Sequence, residues 1–129
     1  MARTVAIRTE VSENGTSLVN QPVSYSAALV TIIDGEAIAG SATTNIIATV
    51  DVSAVKAFMV VSTVAATLKT NSSGSPDDTI ALVANQPYVW HTTDYNAFLL
   101  DTDVTSFYFT VAGATAGTVT ILAAVDPTP

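Results

Sequence analysis

From residue 4 to residue 11 the chain alternates, with Val5, Ile7, Thr9 and Val11 on one side and Thr4, Ala6, Arg8 and Glu10 on the other. A two-residue period puts successive side chains on opposite faces of an extended chain, so this run predicts a half-buried strand. The Asn14-Gly15 pair that follows accepts the positive φ angles of a tight hairpin turn. A second run opens at Pro22, continues over 23–33 and stops at another turn pair, Asp34-Gly35. Residues 36–44 are small and weakly patterned around Gly40, and read as a connector. From Asn45 the alternation becomes regular, with Ile46, Ala48, Val50 and Val52 interleaved with Ile47, Thr49, Asp51 and Ser53. Residues 55–64 are apolar on both faces apart from Lys56 and the hydroxyl residues, which predicts a central strand covered on both sides.

Further strands are expected at 66–70, 79–83, 88–91, 104–111 and 118–125, separated by turns rich in Gly, Pro, Asn and Asp. Phe107, Phe109 and Val111 share one face, and Val119, Ile121, Ala123 and Val125 share another. The Pro127-Thr128-Pro129 tail blocks further ladder pairing. The pattern therefore predicts an all-β fold, a β-sandwich of roughly seven to nine short strands, with a jelly roll as one way of wiring it. The sandwich domain is assigned to 45–129, and 1–44 to an N-terminal arm or hairpin, with the first strands of the main domain as the other reading of 1–44. A single helical turn near 93–97 is the one helical expectation.

Composition agrees. Of 129 residues, 49% are hydrophobic, enough for a core, and the apolar residues are Val and Ala far more than Leu, with abundant Thr. The formal charge is −7, with only Arg3, Arg8, Lys56 and Lys69 on the positive side. Nucleic-acid binding needs clustered cations, so neither nucleic acid nor an anionic membrane is an expected partner. The chain has no cysteine, hence no disulfide and no thiolate chemistry. Its first residues lack the unbroken apolar run of a signal peptide, so synthesis in a cytosol is expected.

Candidates for chemistry are few. His91 is the single histidine, with Asp94 near it, but no Gly-x-Ser-x-Gly elbow accompanies it. The pairs Asp77-Asp78 and Asp101-Thr102-Asp103 could serve glycoside hydrolysis or calcium binding, although Pro-Asp-Asp-Thr is more simply a turn whose aspartates bond to backbone N–H groups. The sequons Asn14-Gly15-Thr16 and Asn71-Ser72-Ser73 also read as turns. Tyr88, Trp90, Tyr95, Phe98, Phe107, Tyr108 and Phe109 could line a sugar-stacking platform, which requires Trp90 exposed beside Tyr88 or Tyr95, although such aromatics in a sandwich of this size more often form the core and its rim. No cofactor is indicated, and nothing makes an acid–base pair, so the chain reads as no enzyme. Arg3, Val5, Ile7 and Arg8 are the candidate partner-binding residues. Their strand either pairs with a neighbouring subunit or completes its own domain's sheet, and the residues allow both.

One resemblance adds to this. The segments Thr67-Leu68-Lys69-Thr70-Asn71-Ser72, Ser75-Pro76-Asp77-Asp78-Thr79-Ile80 and Pro87-Tyr88-Val89-Trp90 resemble small β-rich decoration or cement proteins of tailed bacteriophage heads. The strands at 103–110 and 118–126 are similar as well, so the likeness covers 45–127 and leaves the first 44 residues outside. It implies a non-enzymatic virion protein on the capsid exterior, made in the host cytoplasm, binding the major capsid protein as a homotrimer. The alternatives are a carbohydrate-binding or host-adhesion module and a tail or baseplate structural protein.

Overall fold

The computed structural model describes residues 3–126. Its first unit is a long antiparallel hairpin of β1 (Arg3–Glu13) and β2 (Thr16–Ala27). Asn14 and Gly15 close it with φ of 49° and 81°, the left-handed backbone that the sequence signal anticipates. Val5 faces Tyr25, Ile7 faces Val23 and Val11 faces Val19 across the ladder, which slips by one residue after Val11.

The remaining eight strands form two four-stranded antiparallel sheets. These are β3 (Leu29–Ile38), β4 (Ala42–Ile46), β5 (Val55–Ser62), β6 (Ala66–Thr70), β7 (Thr79–Leu82), β8 (Tyr88–His91), β9 (Phe107–Val111) and β10 (Gly117–Val125). The first sheet has the order β3-β10-β5-β8 and the second β4-β9-β6-β7, which is an all-β sandwich. Its core lies between them. Phe58, Val60, Val119 and Ile121 from one sheet meet Leu68, Phe107, Phe109 and Val111 from the other, all at most 2% exposed. These are every-second-residue positions, so the two-residue period of the sequence is the direct cause of the layered core.

The outward faces of the two sheets are unlike. Across the second sheet the register aligns Asn45, Tyr108, Lys69 and Thr79 in one row and Thr43, Thr110, Thr67 and Ala81 in the next. The Thr43 and Thr110 hydroxyls are 2.9 Å apart, a polar pair suited to water. Across the first sheet the register aligns Ile32, Leu122, Met59 and Val89, and beside them Val30, Ala124, Ala57 and His91. Of the run at 55–64, β5 takes residues 55–62: the second sheet covers it within, the hairpin lies over the outward Ala57 and Met59, and Thr63 is exposed.

Several boundaries differ from the sequence reading. The run over 23–33 breaks at Ala28, where the chain leaves β2 and enters β3. β3 and β4 are sheet members, so the pairing of the sandwich begins at Leu29, and the connector shrinks to residues 39–41. Ile46 and Val50 stay buried while Ile47 points out, yet the β4 ladder ends with Ile46 facing Phe107, and beyond it Val50 pairs in a single bridge to Val104. The helical turn is at Val52–Ala54, capped by Asp51, and not near 93–97. The 127–129 tail lies outside the described residues.

Candidate functional site: the N-terminal hairpin

The hairpin's root is packed and its far half is bare. At the root Ala27, Ala57 and Ala124 are buried, with Val5, Ile7, Tyr25, Val30 and Leu122 against them. Three alanines let the hairpin backbone approach the sheet closely, which larger side chains would prevent. Tyr25 fixes the root polarly: its hydroxyl is 2.8 Å from His91 Nδ1 and 2.9 Å from Thr93 Oγ1. Beneath β1 an apolar cleft of about 270 Å³ remains, lined by Val5, Ile7, Ala57, Met59, Val89 and Leu122. Next to it a cleft of about 340 Å³ lies between Arg8 and Glu10 on β1 and His91 and Asp94 beside β8.

Beyond Arg8 the hairpin passes β8 and its side chains are exposed. Val11 is 51% exposed and Val19 41%, although they occupy the same hairpin face as Val5, Ile7, Val23 and Tyr25. Leu18 is 61% exposed. Of the four candidate partner-binding residues, Arg3 and Arg8 are exposed, whereas Val5 and Ile7 are half-buried and used to hold the hairpin to its own sheet. The free apolar surface is farther along, at Val11, Leu18 and Val19. The alternation through Val11 was the signal for it, but the anchoring role of Tyr25 has no local sequence signal.

The other candidates are placed as follows. His91 Nε2 stands 3.8 Å from Asp94, beyond a hydrogen bond, while Nδ1 faces the hydroxyls of Tyr25 and Thr93. The carboxylate-held imidazole that activates a nucleophile is therefore not formed here. Asp78 is buried, and one of its oxygens accepts the backbone N–H groups of Asp101 and Thr102. Burial pushes its carboxyl above the ordinary value of 3.8, the two N–H bonds oppose that, and the charge of Asp101 adds to it. Asp103 accepts from the Val52 N–H, and Asp77 from the Asn71 amide, which also reaches the Asp103 carbonyl. These carboxylates tie loops together, and among the described residues no three His, Asp or Glu side chains are arranged to hold a metal ion.

Trp90 stacks on Phe98 at 4.4 Å and donates its indole N–H to the Asn96 carbonyl. Tyr88 packs on the core, where burial raises its hydroxyl pKa, and its oxygen accepts the Leu99 N–H. Tyr95 is fully exposed, whereas Tyr88 and Trp90 are half-buried. Among the described residues no helix is long and apolar enough to cross a membrane. The chain matches no protein-family model, no curated protein sequence and no solved structure.

Proposed function

We propose that this chain is a non-enzymatic structural protein of a bacteriophage virion, decorating the capsid exterior and stabilising it by binding the major capsid protein as a homotrimer. The observation that carries the reading is the hairpin: a two-stranded arm fixed at its root whose apolar face continues, uncovered, past the edge of its own body. A decoration protein needs a stiff body and a projecting element that adds apolar burial and backbone pairing to a shell. The sandwich supplies the first, and the hairpin the second. The resemblance carried by the segments around Asn71, Asp77 and Trp90 supports the same class.

The test uses capsids lacking the protein, and a variant in which Glu10 to Asn20 is replaced by Asn-Gly. Thr9 and Gln21 face each other across the ladder, so a two-residue turn can join them without changing the root. The intact chain is expected to co-sediment with capsids at fixed stoichiometry and to raise their heat resistance. The shortened chain is expected to fold and to bind poorly. No co-sedimentation by the intact chain, or equal binding by both, refutes the assignment.

A further inference from the structure

The tip of the hairpin sets an unheld amide beside an unshielded nitrogen. Asn14 stands with φ of 49° and Gly15 follows with φ of 81°, and a side chain built at Gly15 would meet nothing within 4 Å. Both residues are exposed, and among the described residues the Asn14 side chain has no hydrogen-bond or ionic partner. The backbone nitrogen that follows an asparagine is a nucleophile within reach of its side-chain amide, and glycine has no side chain to crowd that approach. We propose that Asn14-Gly15 is a site of spontaneous covalent modification, at which the folded hairpin converts its own asparagine to isoaspartate and aspartate.

The Gly15 nitrogen bonds to the Asn14 Cγ as the Cγ–Nδ2 bond breaks. The proton of the Gly15 N–H passes through solvent to the departing nitrogen, which leaves as ammonia. Water then opens the five-membered imide at either carbonyl, giving aspartate or isoaspartate. The fold selects this site by restraining its competitors. By sequence, Asn71-Ser72 and Asp34-Gly35 are the next most open to ring closure. The Asn71 amide donates to Asp77 at 2.7 Å and to the Asp103 carbonyl at 2.8 Å, its oxygen accepts the Thr105 N–H, and the Ser72 N–H donates to the Thr70 carbonyl. Ring closure there breaks all of these bonds. The Gly35 N–H donates to the Thr120 hydroxyl, which in turn donates to the Asp34 carboxylate. Asn20, Asn45, Asn85 and Asn96 precede Gln21, Ile46, Gln86 and Ala97, whose side chains crowd the nitrogen. At the tip, by contrast, the slip after Val11 leaves two pairs, Ser12 with Ser17 and Glu13 with Thr16, to hold the turn shut. Local opening of so short a ladder lets the Asn14 peptide rotate into reach. Isoaspartate routes the main chain through Cγ, which lengthens a turn closed by two residues, and either product adds a negative charge beside Glu13. The tip pairs are then expected to open as far as the slip, while Tyr25 and the three buried alanines keep the root in place.

The proposal does not depend on what the hairpin binds. It is tested by ageing the full folded chain at neutral and mildly alkaline pH, and in denaturant, with peptide mass mapping that separates isoaspartate from aspartate. In the folded chain Asn14 is expected to convert at least about ten times faster than Asn71. Its rate is expected to rise with pH, as the Gly15 N–H is more readily deprotonated. In denaturant the advantage over Asn71 is expected to shrink, because the bonds that hold Asn71 are gone. Aged chain is expected to exchange amides faster over residues 12–17, with β5 and β10 unchanged. Asn14 that stays intact in the folded chain overturns the proposal. So does conversion of Asn71, or isomerisation of Asp34, at the rate of Asn14 in the folded chain. An advantage over Asn71 that denaturant leaves unaltered also overturns it, because the fold then selects nothing.

Discussion

The two outer faces of the sandwich are made by strands with the same antiparallel pairing, yet one bears Asn45, Tyr108, Lys69 and Thr79 across its middle and the other Ile32, Leu122, Met59 and Val89. A sheet face shown to water is expected to be polar, and the second sheet follows that expectation. The first does not, because part of it serves as the floor for a hairpin. Where the hairpin lies on it, Ala57 and Ala124 are fully buried. Where the hairpin does not reach, Ile32 is left half in solvent.

The sharpest way to break this comparison is to put the same charge on each face. Ala57→Asp places an unpaired carboxylate beneath the hairpin and is expected to cost about 3 to 5 kcal/mol, the range for an uncompensated buried charge, or to lift the root off the sheet. Thr67→Asp on the other face is expected to stay within about 0.5 kcal/mol of wild type. Denaturant unfolding of both checks this, and equal losses would mean that the first face is not functionally covered.

A smaller effect is expected at the sandwich end, away from both faces. Asp78→Ala leaves the Asp101 and Thr102 N–H groups without their acceptor and is expected to cost about 1 to 3 kcal/mol. Asp78→Asn keeps an acceptor. Because the folded carboxyl has a raised pKa, its charge opposes folding above that pKa, and the opposition is lost as pH falls through it toward 3.8. The stability of the Asn variant relative to wild type should therefore decline as pH is lowered from neutral into that range. A pH-independent difference between the two would contradict the assignment.

The smallest effect separates the hydroxyls of the two faces. Tyr25→Phe removes the contact to His91 and Thr93 and is expected to cost about 0.5 to 1.5 kcal/mol, read locally as faster amide exchange in β1 and β2. Thr43→Val, on the exposed face of the second sheet, should leave exchange in its own strands nearly unchanged.

Much of this architecture was legible in the alternation of residues, and its failures have physical causes. Phe107, Phe109 and Val111 could be assigned to one inner face because burial follows the pleat. The Asn14-Gly15 turn was readable because so few residue pairs accept two positive φ angles. The break at Ala28 was not readable, since it is apolar like Ala27 and Leu29 beside it and no Gly or Pro marks it. The alternation over 46–52 suggested a full strand, but the β4 ladder ends at Ile46, and beyond it burial alternates with a single bridge, Val50 to Val104. The site was less legible than the fold. Val5 and Val11 look alike in sequence, and only the position of the sheet beneath them makes one an anchor and the other free. Tyr25 and His91, separated by 66 residues, meet through topology alone.

One residue, Ala28, separates the hairpin from the sheet that carries it. With so short a joint and a packed root, the hairpin is a strut of fixed heading rather than a tether, and its length sets a distance. From Thr9 to Asn14 it spans about 17 Å at the rise of an extended chain. Adding two residues to each strand would move its tip outward by about 7 Å while keeping the apolar side facing the same way. Adding one to each would turn that side over. The hairpin therefore acts as a ruler graduated in two-residue steps, and the spacing of whatever it joins should change only in those increments.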